Sequence, residues 1–237
     1  MAGSKLDHIA LGLPRAEDAR ELFEETLGGV PIGGYDGSSF DFRQWEFAGG
    51  GRIEVIYPAG PPGGFLQRFL ANGGPRIHHV TIKVPSFDAN LERAARHGYD
   101  VVGIDRSDPH WQESFLHPKQ AQGIVVQMVE QRERAGGDDL LPAAKPREDG
   151  ARIVGLRLQA QSADRARKQW SELLGASGFI QGESLIFRWE SSPLVILVDV
   201  RPDADEGPVQ IELRAPRDLG LPDGPYPKLG TRFVQVT

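Results

Sequence analysis

Two pairs of side chains that could bind a metal occur in the first half of this 237-residue sequence, and the members of each pair are separated by nearly the same number of residues. The first pair is His8 and Glu54, and the second is His79 and Gln127. Imidazole nitrogen with carboxylate or amide oxygen suits Zn, Ni, Co, Mn or Fe, and such a set leaves coordination positions open for water or a substrate. A lone strand histidine is more often a core or surface residue. The repetition nevertheless favours one divalent ion held by all four side chains.

These four side chains fall in segments whose alternation predicts β-strands. In residues 77–84, Val80 and Ile82 share an apolar face, which leaves His79 on the other face. The neighbouring His78 then points away from His79 and is expected to make packing or solvent contacts. Ligands on strands are rigidly placed, as a metal site requires.

The sequence repeats a unit of one strand, one helix and two or three further strands. The first copy is predicted at 6–12, 16–27, 40–47 and 52–57. The second is predicted at 77–84, 87–96, 101–104, 111–117 and 124–129, and the third at 153–159, 163–174, 184–189, 194–200 and 209–213. This pattern predicts an α+β fold of repeated βαβββ modules, the first two of which hold the metal together and are followed by a third, degenerate module.

The predicted domains are a paired-module metal-binding domain at 1–130 and a third βαβββ-like module at 151–237. Residues 131–150 between them are rich in charge, Gly, Ala and Pro and lack apolar periodicity, which indicates an exposed linker. Gly155 stands where the repeat predicts a histidine, so we expect no metal in the third module. Because three modules are an odd number, the sheet face of the third needs to be covered, either by the same module of a second chain or by the first two modules. Of the two we favour a homodimer.

The composition is that of an ordinary globular protein, with 39% hydrophobic residues, 25% charged residues and a net charge of −6. No basic stripe indicates nucleic acid or a membrane surface as a partner, and no stretch approaches the roughly 18 apolar residues of a membrane helix. The absence of cysteine excludes disulfides, thiolate metal sites and a cysteine nucleophile. With no secretion signal in the first residues, we expect a cytoplasmic protein that acts on a small molecule.

Four segments resemble the characteristic segments of the vicinal oxygen chelate superfamily, also called the glyoxalase/bleomycin-resistance fold. They are LDHIALGLP, GGRIEVIYP, RIHHVTIKVP and FLHPKQAQGIVVQMVE, and the resemblance covers residues 4–131. Within the superfamily, GFLQRFLANGGPRIHHV at 64–80 is similar to methylmalonyl-CoA epimerases. The resemblance implies that two paired modules form a metal-holding cup around one ion, which binds adjacent oxygens of the substrate and stabilises an enolate-like intermediate. It also implies the ligand set His8, Glu54, His79 and Gln127.

One departure concerns the general base. Gln127 stands where the resembling enzymes usually have a glutamate that binds the metal and can take a proton, and an amide cannot take one near neutral pH. No glutamate occurs near Asp36, where the epimerases carry another. Glu113 and His110, which border the cup in the resembling family, are therefore the candidate catalytic residues, and Asp36 is the third titratable candidate near the rim of the cup.

Three functions follow from these observations. The first is a metal-dependent isomerase, epimerase or lyase that acts on a small substrate with adjacent oxygens. The second is an Fe(II)-dependent ring-cleaving dioxygenase, because two histidines and one glutamate match the facial triad by residue type. The third is a non-catalytic small-molecule binding protein of the same superfamily, which would normally lack the metal ligands.

Overall fold

A computed structural model describes residues 3–132 and 144–237 of the chain, and the middle of the expected linker, 133–143, lies outside the described residues. The strands of the first half are β1 (Lys5–Gly12), β2 (Val30–Asp36), β3 (Phe40–Glu46), β4 (Arg52–Pro58), β5 (Arg76–Lys83), β6 (Val101–Asp108), β7 (Trp111–Leu116) and β8 (Val125–Gln131). Its helices are α1 (Glu21–Thr26), which is a single π-helical turn, and the α-helices α2 (Phe65–Ala71) and α3 (Phe87–Arg96), with 3-10 turns at Ala16–Ala19 and Ala48–Gly50.

These strands form one eight-stranded mixed sheet in the order β2-β3-β4-β1-β5-β8-β7-β6. In each repeat the first strand runs parallel to the last, β1 to β4 and β5 to β8. The other pairings within a repeat are antiparallel. Residues in register on adjacent strands point to the same face of a sheet. Side chains from the first and last strands of a repeat therefore meet on one face.

The second half forms a seven-stranded sheet in the order β10-β11-β12-β9-β13-β15-β14. Its strands are β9 (Arg152–Ala160), β10 (Ser177–Gln181), β11 (Ser184–Arg188), β12 (Val195–Val200), β13 (Gly207–Arg214), β14 (Pro225–Tyr226) and β15 (Thr231–Gln235). Helix α4 (Ala163–Arg167) continues directly into a wider helical turn at Lys168–Leu173. The strands β2, β10, β14 and β15 were not expected from the sequence.

The third repeat ends one strand earlier than expected. Strand β12 closes it by pairing in parallel with β9, as β4 does with β1. The segment 209–213, assigned above to the third repeat, lies in β13, which pairs in parallel with β15 instead. The strands β13, β15 and β14 thus occupy the places of β5, β8 and β7 in the first sheet. They form a fourth repeat that lacks a helix and one strand.

The first helices of the first and third repeats end in the same unusual way. The Leu27 N–H donates to the carbonyl of Leu22, and the Leu174 N–H donates to that of Gln169, each across five residues. In both cases the next residue is a glycine with positive φ, Gly28 at 73° and Gly175 at 78°, a conformation that glycine adopts without strain. The expected helix at 16–27 is therefore a 3-10 turn followed by one wide turn.

The described part of the chain divides into two compact units. One combines the described residues of Met1–Asp7, His79–Asp139 and Gly155–Val209. Its core includes Trp170 and Trp189, whose rings meet edge to face at 6.3 Å.

The other unit combines the described residues of His8–His78, Leu140–Val154 and Gln210–Thr237. Its core is centred on Phe23, whose ring lies 5.5 Å from Trp45, 5.6 Å from Phe47 and 6.1 Å from Phe233.

The α+β fold of repeated βαβββ modules is confirmed. The expected domain boundaries stay a prediction, because the strand orders and the compact units divide the chain in different ways. Among the described residues, no helix has the length and apolar character needed to cross a membrane.

Candidate metal site

His8 and Glu54 meet because the first and last strands of the first repeat are adjacent. Glu54 on β4 is in register with Ala10 on β1, and His8 lies two residues before Ala10 on the same face. His8 Nε2 lies 3.6 Å from Glu54 Oε2, and the two residues are only 2% and 7% exposed. The face of β1–β4 that carries these two side chains is called the ligand face below.

His79 completes a cluster with this pair. One ligand atom each from His8, Glu54 and His79 lie within 4.8 Å of one another, and all three residues are buried. Atoms bound to one ion at about 2.0–2.2 Å are at most about 4.4 Å apart. The three side chains therefore fit one divalent ion after a closure of a few tenths of an ångström at most, and their nitrogen and oxygen donors suit the transition metals expected above.

Gln44 orients the carboxylate of Glu54. It lies directly opposite Glu54 in the β3–β4 ladder, and its Nε2 donates a hydrogen bond of 2.8 Å to Glu54 Oε2. Such partners fix the orientation of a metal-binding carboxylate. Gln44 was not among the predicted site residues, although its alternation with Arg43 and Trp45 places it on the ligand face.

Gln127 is held by hydrogen bonds at both ends of its amide. It is in register with Thr81, whose Oγ1 donates to Gln127 Oε1 at 2.5 Å. Gln127 Nε2 donates to Glu113 Oε2 at 2.7 Å. An amide oxygen has two lone pairs, so the bond from Thr81 leaves one for a metal. The role of Gln127 as a fourth ligand remains a prediction.

The two candidate bases have different surroundings. Glu113 on β7 is partly buried, and besides Gln127 it accepts a hydrogen bond of 2.8 Å from Trp111 Nε1. His110 lies in the turn between β6 and β7, where its N–H donates to Asp108 and its carbonyl accepts from the Arg132 N–H. Glu113 thus has a direct bond to a predicted ligand, whereas the bonds of His110 to Asp108 and Arg132 are made by its backbone.

Two other titratable residues point away from the ligand positions. His78 packs against Phe65 and Phe69 at ring distances of 5.9 and 4.7 Å, and burial beside Arg76 lowers its pKa to about 4. Asp36 binds Arg43 at 2.6 Å and lies opposite Asp41, on the face of the sheet away from Glu54. Asp36 is therefore not placed to act as the base.

The matching position of the third repeat has no room for a ligand. A Cβ atom on Gly155 would collide with the backbone oxygen of Val195, so glycine is required there. Two residues further along β9, Arg157 Nη1 donates to Asp199 Oδ1 at 2.6 Å and to Ser184 Oγ at 3.0 Å. An ion pair with a hydroxyl partner thus lies beside the position that a metal ligand takes in the first repeat.

The first half of the chain is similar in sequence to known proteins. Residues 7–115 match the family model of the Glyoxalase/Bleomycin resistance protein/Dioxygenase superfamily. The ethylmalonyl-CoA/methylmalonyl-CoA epimerase of Cereibacter sphaeroides is 31% identical over 134 residues, which are 52% of this chain and 96% of that protein. The chain belongs to this superfamily. Human mitochondrial methylmalonyl-CoA epimerase is 27% identical over 146 residues, covering 52% of this chain and 72% of its own length.

Solved structures extend the similarity of fold to both halves of the chain. A mutant of 4-hydroxymandelate synthase from Streptomyces coelicolor covers 91% of this chain with 72% of its own, at a TM-score of 0.64 and 12% identity. A fusion of a xylose isomerase-like TIM barrel with 4-hydroxyphenylpyruvate dioxygenase covers 89% of this chain with 36% of its own, at a TM-score of 0.59 and 15% identity. At these identities the likeness concerns the fold alone.

Proposed function

We propose that this protein is a metal-dependent isomerase, epimerase or lyase of small substrates with adjacent oxygens, with one divalent ion held by His8, Glu54, His79 and Gln127. The observation that carries the proposal is the buried cluster of ligand atoms from His8, Glu54 and His79 within 4.8 Å. Zn, Ni, Co, Mn and Fe all suit these donors. The epimerase names of the relatives support the reaction class, and they are not evidence that this chain acts on a CoA thioester.

An ion held by His8, Glu54, His79 and Gln127 would supply a Lewis acid that stabilises negative charge developing on the substrate oxygens. Gln44 holds the Glu54 carboxylate in place through the bond to Oε2. Thr81 fixes the direction of the Gln127 oxygen. Both bonds preorganise the ligand set before a substrate arrives, which reduces the reorganisation needed during the reaction.

Glu113 is the proposed general base. Trp111 and Gln127 both donate to its Oε2, which directs the carboxylate and leaves Oε1 to accept a proton. The proton leaves the substrate carbon next to the carbonyl, its bonding electrons pass into the carbonyl group, and Glu113 later returns the proton to carbon. The amide of Gln127 cannot take this role because it has no basic site near neutral pH.

Hydrogen exchange tests this proposal directly. The metal-loaded protein is first screened by thermal shift with acyl-CoA thioesters, hemithioacetals and catechols, and each ligand found is incubated with it in D2O. We expect deuterium to enter the carbon beside the carbonyl, with loss of exchange in Glu113→Gln and after chelation of the metal. His110→Ala is the matched control and should retain exchange. Exchange that is unchanged in Glu113→Gln would remove Glu113 from the mechanism.

A second function, Fe(II)-dependent dioxygenation, is favoured by one observation. The ligand cluster contains two histidines and one carboxylate, the composition of the facial triad of Fe(II) oxygenases. Oxygen uptake by the Fe(II)-loaded protein with a catechol would distinguish it from isomerisation, which consumes no oxygen. A purely non-catalytic binding role is the least favoured, because such a protein has no need of the buried ligand cluster.

The proposal includes a cytoplasmic, homodimeric protein without nucleic-acid or membrane partners. The absence of cysteine from the sequence is compatible with a reducing compartment. The partial fourth repeat β13–β15 removes the argument from an odd number of modules, so the homodimer now rests on the general prevalence of two-fold oligomers. Light scattering at micromolar concentration tests it.

A further inference from the structure

The ligand face carries a row of aromatic side chains next to Glu54. In the β2–β3–β4 ladder, Gly33, Gln44 and Glu54 form one cross-strand row, and Tyr35, Phe42 and Ile56 form the next. Residues two apart on a strand share a face and are about 7 Å apart. The aromatic row is therefore one step from the carboxylate of the metal site.

Two aromatic rings on and beside this row, those of Tyr35 and Phe65, are exposed to solvent. Tyr35 is 62% exposed and lies 6.3 Å from the ring of Phe42. Further along the same face, Phe40 meets Phe65 of α2 edge to face at 5.6 Å, and Phe65 is 40% exposed. Exposed rings beside a buried polar cluster are the arrangement found in small-molecule sites, which combine apolar walls with a few placed polar groups.

Helix α2 forms a wall at one end of this surface. Gly12 shares the ligand face with His8, and a Cβ atom at Gly12 would lie 2.6 Å from the ring of Phe69. The helix therefore lies directly against the face. At Gly33, in contrast, an added Cβ meets nothing within 4 Å, so the space next to Gln44 is open.

The charges on this face favour an uncharged group over the aromatic row. Among the described residues of β2–β4 on the ligand face, the one cation is Arg52, which binds Glu46 at 2.9 Å. This pair lies on the side of the Gln44–Glu54 row away from Phe42. A second carboxylate or a phosphate over Phe42 would find no counterion on these three strands, whereas an aromatic ring would find offset and edge contacts.

We infer that the substrate carries an aromatic ring, which is seated on Phe42, Tyr35 and Phe65 while its adjacent oxygens bind at the metal site. This inference rests on the proposed function for the position of the oxygens. A ring one or two carbon atoms from the chelating oxygens spans the step between the two rows. Phe42 and Phe65 are then specificity-determining residues.

Phenyllactate and lactate form a matched pair of probes, because both offer the same hydroxyl and carboxylate oxygens and only the first carries a ring. Their dissociation constants are measured by titration calorimetry on the full chain loaded with Co²⁺. We expect phenyllactate to bind about tenfold tighter or more, as burial of a ring predicts. In Phe42→Ala and Phe65→Ala this preference should fall several-fold, with lactate affinity unchanged.

Phe179→Ala on β10 is the matched control, since Phe179 is 42% exposed, like Phe65, but belongs to the second sheet. It should leave the preference unchanged. Phe42→Leu, which keeps most of the packing volume, replaces Phe42→Ala if that variant does not fold. Equal affinity for the two acids, no binding of either, or a preference that persists in all Phe42 and Phe65 variants would overturn the inference. If the protein still binds phenyllactate more tightly than lactate after EDTA has removed the metal, the proposed function is contradicted, whereas the proposed aromatic site is supported.

Discussion

Gln127 Nε2 donates a hydrogen bond of 2.7 Å to Glu113 Oε2, which joins a predicted metal ligand directly to the proposed base. An amide at this position has an oxygen for Thr81 or a metal and a nitrogen for the carboxylate. A carboxylate at the same position would have no donor for Glu113. The amide is therefore suited to a site in which binding and proton transfer are divided between two residues.

The first prediction concerns Gln127→Glu. We expect metal affinity to be kept or raised, because a carboxylate is a better donor to a cation than an amide. At hydrogen-bond distance from Glu113, however, the new carboxylate must share a proton with it. Deuterium exchange should therefore slow at neutral pH and recover towards higher pH. The pH profile of exchange measures this, and a profile identical to wild type would show that Glu113 is not the base.

The second prediction concerns metal retention. His8→Ala and His79→Ala should each lower the affinity for the ion by about 100-fold or more, because each removes a ligand rather than a partner of one. Metal at 100 times its dissociation constant stabilises the wild type by about 2.7 kcal/mol, so its melting temperature should rise on loading.

Neither His8→Ala nor His79→Ala should show this rise in melting temperature on metal loading. His117→Ala, at an exposed turn position, is the control. Elemental analysis and thermal unfolding check the prediction. A wild-type protein that is purified without metal and shows no shift on adding any of the five ions would refute it.

The repeat pattern predicted the parts of the site that depend on equivalent positions. His8 and Glu54 were expected to meet because the first and last strands recur with similar spacing, and they lie 3.6 Å apart. The bond from Gln127 to Glu113 was not predicted, because alternation gives the face of a side chain and not its cross-strand neighbour.

The errors in the predicted fold have the same cause, because alternation does not identify the neighbouring strand. The alternation in 209–213 predicts a strand equally well at the end of one repeat or the start of the next, and only its parallel pairing with β15 distinguishes the two. Strands β2 and β10 were missed because β2 is largely exposed and β10 is fully exposed, and so their sequences lack the alternation imposed by a buried face.

The third prediction concerns Gln44. Gln44→Ala removes the hydrogen bond to Glu54 Oε2 and should weaken metal binding by about 10–100-fold, the usual effect of losing a partner of a ligand. Gln112→Ala, a partly buried glutamine on β7, should leave it unchanged. Competition with a chelator of known affinity measures both. Equal metal affinities in the two variants would show that the hydrogen bond from Gln44 to Glu54 does not contribute to metal binding.

The fourth prediction is the acid sensitivity of the metal-free protein. Burial lowers the pKa of His78 to about 4, below the value of about 6.5 for an unfolded histidine. The contribution of the uncharged His78 side chain to the free energy of unfolding is therefore fully present above pH 6.5. It is lost as pH falls towards 4, because the unfolded chain binds the proton first. The expected loss is roughly 3 kcal/mol.

His78→Gln is the matched variant, since it keeps a polar side chain and does not titrate. Urea unfolding in EDTA at pH 7 and pH 4.5 gives the free energy of unfolding for both proteins. The wild type should lose more stability than the variant over this interval. Equal losses would show that the buried ring is protonated as readily in the folded state as in the unfolded one.

The last prediction decides between four ligands and three. In Gln127→Ala the neutral amide oxygen is lost, and metal affinity should fall by less than in His79→Ala, because an amide is the weakest donor of the four. The variant also removes the bond that directs Glu113, so exchange should fall more than affinity does. If Gln127→Ala binds metal as tightly as wild type, the metal has only His8, Glu54 and His79 as ligands. That result, together with oxygen uptake by the Fe(II)-loaded protein, would favour the dioxygenase over the isomerase.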